Sequence, residues 1–194
     1  MIAHIEGKLT VKTPTYVVVD CGGVGYSIQV SLHTYEQLGN SENVRLLTHL
    51  VIKEDSHTLY GFMQDDERQL FTQLISVSGV GPNTARLMLS SLKPADIKQA
   101  ISEGNWALIK TVKGIGEKTA QKVVIDLKNK VMKSDVAGEL SLTSPRNSKA
   151  DEALAALTML GFSKNEAEKA LLKTRQQNPE YTVEELVKHT LKIL

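Results

Sequence analysis

The period of the apolar positions changes along the chain. Over the first sixty or so residues, β-branched and aromatic side chains crowd into short runs, IAHIEGKL, YVVVD, YSIQV, VRLLTHLVI and HTLYGF, separated by Gly, Pro and Asn. That pattern predicts five strands. From Asp65 the spacing lengthens: Leu70, Phe71, Leu74 and Ile75, then Ala85, Leu87, Met88 and Leu89, recur as on amphipathic helices. Helices are expected to about Lys133. The stretch 134–149, SDVAGELSLTSPRNSK, is poor in large apolar groups and contains Pro145, so it reads as a flexible linker. Beyond it, three helical patterns are broken at Leu160-Gly161-Phe162 and at Asn178-Pro179. So small a module has little interior, and its Leu, Met and Phe side chains, Met159 and Phe162 included, are expected inside.

Five short strands are accommodated by a small closed barrel of the OB type. The expected fold class is therefore α+β and multidomain: an OB-fold barrel over 1–64, a helical domain over 65–142, a linker over 143–148 and a three-helix domain over 149–194. The glycine-rich CGGVGY, Cys21 to Tyr26, joins two strands with no helix after it, which makes it a hairpin rather than a phosphate loop. No run approaches the roughly 20 apolar residues that span a bilayer, and the opening MIAHIEGKLT carries charge where a signal peptide needs an apolar core. A cytoplasmic protein away from membranes is expected. Cys21 is the only cysteine, which excludes an internal disulfide and a cysteine-held metal centre.

One motif occurs twice. SVSGVGPNTA, residues 76–85, returns as TVKGIGEKTA, residues 111–120, so that Val77, Gly79, Gly81, Thr84 and Ala85 reappear as Val112, Gly114, Gly116, Thr119 and Ala120. Gly79 can take the left-handed conformation that ends one helix, Val80 can tuck between helices, and Gly81 lacks the Cβ that would keep a ligand from the backbone. Pro82 then suits the first position of the next helix. Such a corner presents unpaired N–H groups at a helix N-terminus, where the dipole favours an anion, and phosphate is the natural guest. Nucleotide motifs do not fit. A dinucleotide fingerprint needs glycine where Thr84 and Thr119 stand, and a P-loop needs it at Val112 and Glu117. No cofactor and no metal are expected. Glycine-capped turns with nothing bound remain the plain alternative for one corner; two in register favour a ligand with a repeating backbone.

Charge points the same way. Net charge is only +1, yet it is unevenly placed: residues 1–70 hold five Lys/Arg against nine Asp/Glu, residues 71–133 ten against four, and residues 134–194 eight against nine. Local charge, rather than the total, attracts phosphate. Lys110, Lys113, Lys118, Lys122 and Arg86 surround the two corners, and such cations release the counterions of DNA on binding.

Both corners look like helix-hairpin-helix motifs. With the strand-rich start, the phrases HLVIKED and LYGF, and the small C-terminal helical module, the whole chain resembles the RuvA family of bacterial Holliday-junction-binding proteins. That resemblance implies a non-catalytic, homotetrameric platform for four-way junction DNA, with one or two tetramers on the DNA, acting in recombination, DNA repair and the SOS response. It implies RuvB as ATP-driven branch-migration motor and the RuvC resolvase as a further partner. The expected DNA contacts are Gly79, Val80, Gly81, Asn83 and Arg86 in the first hairpin, and Lys113, Gly114, Ile115, Gly116, Lys118 and Lys122 in the second. Glu117 departs from the pattern as an acid in the first turn of the second helix, which leaves Lys118 the better phosphate partner. The acidic turn of Glu54 and Asp55 maps onto the family's central pin, where carboxylates repel phosphate. Leu171, Leu172, Leu191 and Ile193 are candidate motor contacts. Two other classes stay open: a hairpin-bearing glycosylase or nuclease, for which, past the corner's own Glu117, the helical segment offers only Asp126 with no second acid nearby, and a peptide- or ubiquitin-binding protein using the UBA-like phrase Met159-Leu160-Gly161-Phe162.

Overall fold

The structure, a computed structural model, describes residues 2–128, 131, 149–178 and 181–194. The chain divides into two compact units, Met1–Val136 and Ala137–Leu194. In the first, strands β1 (His4–Lys12), β2 (Tyr16–Cys21), β3 (Val24–Val30), β4 (Asn43–Ile52) and β5 (His57–Phe62) close a barrel in the order β1-β2-β3-β5-β4. The pairs are antiparallel except β3 with β5, which run parallel with Gln29 opposite Tyr60 and Val30 opposite Gly61. Val17, Val19, Ile28, Val30 and Leu46 fill the interior. CGGVGY is the hairpin between β2 and β3. A short helix, α1 (Leu32–Gln37), lies between β3 and β4 where no helix was expected, started by the Ser31 side chain accepting from Thr34 N–H.

LYGF breaks the two-residue alternation of a half-buried strand, because Leu59, Tyr60, Gly61 and Phe62 are all buried. Both faces of β5 are covered. Leu59 joins the barrel interior, while Tyr60 and Phe62 turn outward onto Phe71, with ring centroids 4.9 and 5.1 Å away. A Cβ on Gly61 would lie 2.5 Å from Ile28 Cγ2, so the parallel pairing leaves no room for a side chain there. Phe71 belongs to α2 (Asp65–Ile75), which begins with three acids that suit its N-terminal dipole. Further helices are α3 (Pro82–Ser91), α4 (Pro94–Glu103), α5 (Trp106–Lys110) and α6 over residues 117–128. Leu70, Leu74, Met88, Leu89, Ile97, Ile101, Ile109 and Leu127 form their common core with Tyr60 and Phe62. Barrel and helices thus share one apolar joint, and emptying it by Phe71→Ala would cost about 3–5 kcal/mol.

A polar contact reinforces that joint. Glu67 of α2 is 2% exposed, and its carboxylate accepts from Ser31 Oγ at 2.5 Å and Thr34 Oγ1 at 2.7 Å. Burial raises its pKa and outweighs the two hydroxyls, which lower it.

The second unit packs α7 (Lys149–Met159), α8 (Lys164–Gln177) and α9 (Val183–Thr190) around Ala153, Leu157, Ala167, Leu171 and Leu186. Thr182 and Glu185 form a reciprocal capping box at the start of α9. The expectation that every large apolar side chain lies inside is corrected here: Met159 is 91% exposed, Leu160 60% and Leu172 58%. Alanines 153 and 167 at the helix contacts let the backbones approach, so the core closes without those three. Phe162 is half-buried against it.

Candidate nucleic-acid interface

The two repeated segments form the same corner. At the first, Val77 N–H donates to Leu74 O, Val80 N–H to Val77 O and Ala85 N–H to Gly81 O, at 3.1, 3.0 and 2.9 Å. At the second, Val112 N–H donates to Ile109 O, Ile115 N–H to Val112 O and Ala120 N–H to Gly116 O, at 3.2, 3.1 and 2.9 Å. Val77, Val80, Val112 and Ile115 are buried and staple the helices on either side of each corner. Val80 and Ile115 therefore support the site from beneath.

The glycines divide into two kinds. Gly79 and Gly114 have φ of 95° and 89°, the left-handed conformation that L side chains resist. Gly81 caps α3 at φ −81° and ψ 166°, which any residue adopts, and nothing lies within 4 Å of a Cβ built on Gly81 or on Gly116. Nothing in the fold requires glycine at these two positions. Each leaves a bare, exposed stretch of backbone at a helix N-terminus, open to an approaching anion. A Cβ on Gly79 would lie 3.8 Å from Thr119 Oγ1 and Cγ2, so the two corners sit side by side.

Cations surround them unevenly. Lys113, Lys118 and Lys122 are exposed and have no ion-pair partner among the described residues. Lys118 and Lys122, four apart on α6, share one helix face. Lys110 instead pairs with Glu117 at 2.8 Å, so the acid of the second corner neutralises that lysine. Asn83 is exposed at the second position of α3 and accepts from Tyr60 O–H at 3.2 Å. Arg86 points back to the barrel, with Nη1 donating to Thr15 O at 2.8 Å and to Gln29 Oε1 at 3.1 Å. Glu54 and Asp55 occupy the tip of the β4–β5 hairpin, closed by Lys53 N–H donating to Ser56 O at 2.8 Å. Both are exposed, without a cationic partner among the described residues.

Residues 1–61 match the RuvA N-terminal domain, residues 71–129 a SAM-like helix-hairpin-helix tandem, and residues 148–194 the RuvA C-terminal domain. Over 194 residues the chain is 52% identical to a Holliday junction branch migration complex subunit RuvA of Flavobacterium psychrophilum, the match covering all of both chains. It is 51% identical over 195 residues to that of Christiangramia forsetii and 44% over 201 residues to that of Bacteroides thetaiotaomicron, again over all of each chain. The chain belongs to the RuvA family.

The C-terminal domain of this RuvA-family chain distributes its four candidate contacts differently from expectation. Leu171 is 5% exposed in the three-helix core and cannot meet a partner without unpacking it. Leu172, Leu191 and Ile193 are 58, 40 and 42% exposed. Ile193 and Leu194 line a shallow groove with Phe162 and Ala170, flanked by Glu166, Lys169 and Lys173. Leu194 was not named from sequence, because helical period does not say which residues beyond a helix end fold back beside Phe162. Among the described residues no helix is long and apolar enough to cross a membrane, and no group of three or more His, Cys, Asp or Glu is placed to hold a metal ion.

Proposed function

We propose that this chain binds four-way junction DNA and serves as the platform of a branch-migration complex in recombination and DNA repair. The observation that carries the reading is the pair of adjacent corners whose bare glycines, Gly81 and Gly116, have no intramolecular reason to lack a side chain. Backbone N–H groups there and the cations Lys113, Lys118 and Lys122 meet phosphates, a mode of binding that positions without reading sequence. Gly79, Gly114, Val80 and Ile115 shape the corners, and Asn83 adds a neutral donor. Glu54 and Asp55 repel phosphate at the junction centre and steer separated strands into different arms. The assembly is a homotetramer, one or two per junction, since one pair of corners grips only one arm.

Division of labour follows the expected domains: 1–64 for assembly and the junction centre, 65–142 for DNA, and 149–194 for the motor. Residues 143–148, the expected linker, lie outside the described residues. The chain carries no catalytic centre of its own; the RuvB motor hydrolyses ATP and docks on Leu172, Leu191 and Ile193 beside the Phe162 groove, while RuvC resolves the junction, all in the cytoplasm. Binding of the full chain to a four-way junction and to linear duplex of the same sequence, at one stated salt concentration, tests the reading. Preference for the junction is expected; equal affinity for both sinks it.

A further inference from the structure

The two hairpins repeat in their corners but diverge along the helix that follows. Asn83, Arg86 and Ser90 of α3 correspond to Lys118, Gln121 and Ile125 of α6. Spaced three and four apart, each trio lies along one helix face. In α6 that face is free of the barrel: Lys118 is exposed, Gln121 donates to Glu117 at 3.3 Å, and Ile125 is 73% exposed. In α3 the first two side chains end on the barrel and the third on the start of α1. Tyr60 O–H donates to Asn83 Oδ1 at 3.2 Å, Arg86 reaches Thr15 O and Gln29 Oε1, and Ser90 Oγ accepts from Leu32 N–H at 3.0 Å. Tyr60 and Gln29 are direct partners across the parallel β3–β5 pair, so adjacent barrel residues hold successive turns of α3. Thr15 O also accepts from Val30 N–H at 3.1 Å, which ties Arg86 to the backbone of the same strand.

We infer that this polar seam is a positioning device: Tyr60 occupies the carbonyl oxygen of Asn83 and so turns its amide N–H groups toward DNA, and Arg86 sets the angle of α3 rather than touching phosphate. The inference rests on the DNA-binding reading above. It separates the two hairpins by role. The first is locked to the barrel that bears the acidic tip, so its aim is fixed relative to the junction centre. The second carries its charge in Lys118 and Lys122, on a helix face that the barrel leaves free.

Three variants of the full chain test it, after the wild type has been shown to bind a labelled junction; failure at that first step would count against DNA binding itself. Tyr60→Phe keeps the ring on Phe71 and removes one hydroxyl. It should weaken junction binding roughly 3- to 10-fold, the range of one hydrogen bond, and have no further effect in an Asn83→Ala background. Equal losses in both backgrounds would overturn the link through Asn83. Arg86→Met should weaken binding while leaving the slope of log affinity against log salt unchanged. A slope reduced by about 0.9 per protomer would mean that Arg86 neutralises a phosphate, and the assignment would be wrong. If Arg86→Met fails to fold, Gln29→Leu reaches the seam from the barrel side without a change in charge. It should weaken binding at unchanged slope, and wild-type affinity in that variant would overturn the seam's role.

Discussion

Four single replacements by alanine should separate folding from binding at the twin corners. At Gly79 and Gly114 the left-handed backbone, φ 95° and 89°, makes any L side chain cost about 1–2 kcal/mol. In a chain of this size that lowers the melting temperature by about 2–8 °C. At Gly81 the backbone is ordinary and a Cβ meets nothing within 4 Å, and the same space is open at Gly116. Alanine is a poorer helix cap than glycine, but it also restricts the unfolded chain by about 0.4–1 kcal/mol, and the two effects oppose each other. Stability should therefore move by less than about 1 kcal/mol. Binding should respond in the opposite order. The added methyl keeps phosphate from the N–H groups, and losing one charge-assisted hydrogen bond, about 1.5–3 kcal/mol, weakens junction affinity at least tenfold per corner. Thermal unfolding and fluorescence anisotropy on a labelled junction, run on the same samples, read both quantities. Folded Gly81→Ala and Gly116→Ala proteins that bind like wild type would refute the reasoning, as would a larger stability loss at 81 than at 79.

Lys118→Ala should lower the salt slope by about 0.9 per protomer, whereas Lys110→Ala, whose partner is Glu117, should change it less; equal slopes for the two would remove Lys118 from the interface. Replacing Glu54 by Gln and Asp55 by Asn should leave the melting temperature unchanged and tighten duplex binding more than junction binding, since repulsion is removed; weaker binding by the folded variant would contradict the role of the tip. Burial raises the Glu67 pKa above its ordinary 4.5, so its contribution to stability is fully present below that value and is lost as pH rises through the folded pKa. Denaturant midpoints across that range should fall with pH in the wild type relative to Glu67→Gln, and parallel profiles would show that Glu67 titrates as it does in the unfolded chain.

Much of this was legible in the residues. The strands, the hairpin at CGGVGY and the paired corners follow from local period and turn chemistry, signals that lie within a few residues of one another. The helix α1 went unread although Ser31 offers an N-cap signal, because its six residues, LHTYEQ, are too few to establish a helical period. Nor was the position of Met159: period marks the face a residue shares, not whether another helix covers it, and here α8 and α9 meet α7 elsewhere. Arg86 shows the same limit in charge. Its place beside a corner read as phosphate-binding made it a candidate contact, while the bonds it makes within the fold run to Thr15 and Gln29, 71 and 57 residues away in the chain, beyond the reach of any local pattern.

That separation bears on the order in which the molecule assembles. The corners need only neighbouring residues and can form early, whereas the β3–β5 pair encloses α1 and all of β4, and the Arg86 bonds require that pair to be in place. Contacts that close long loops form late in folding. Losing Arg86 or Gln29 should then speed unfolding more than it slows folding, the kinetic mark of a contact absent from the transition state. A chain caught before its barrel closes would carry both corners and their lysines without a fixed angle between the first hairpin and the acidic tip. On the function proposed above, such a species would grip DNA without choosing a junction, so selectivity would be acquired only after the corners themselves have formed.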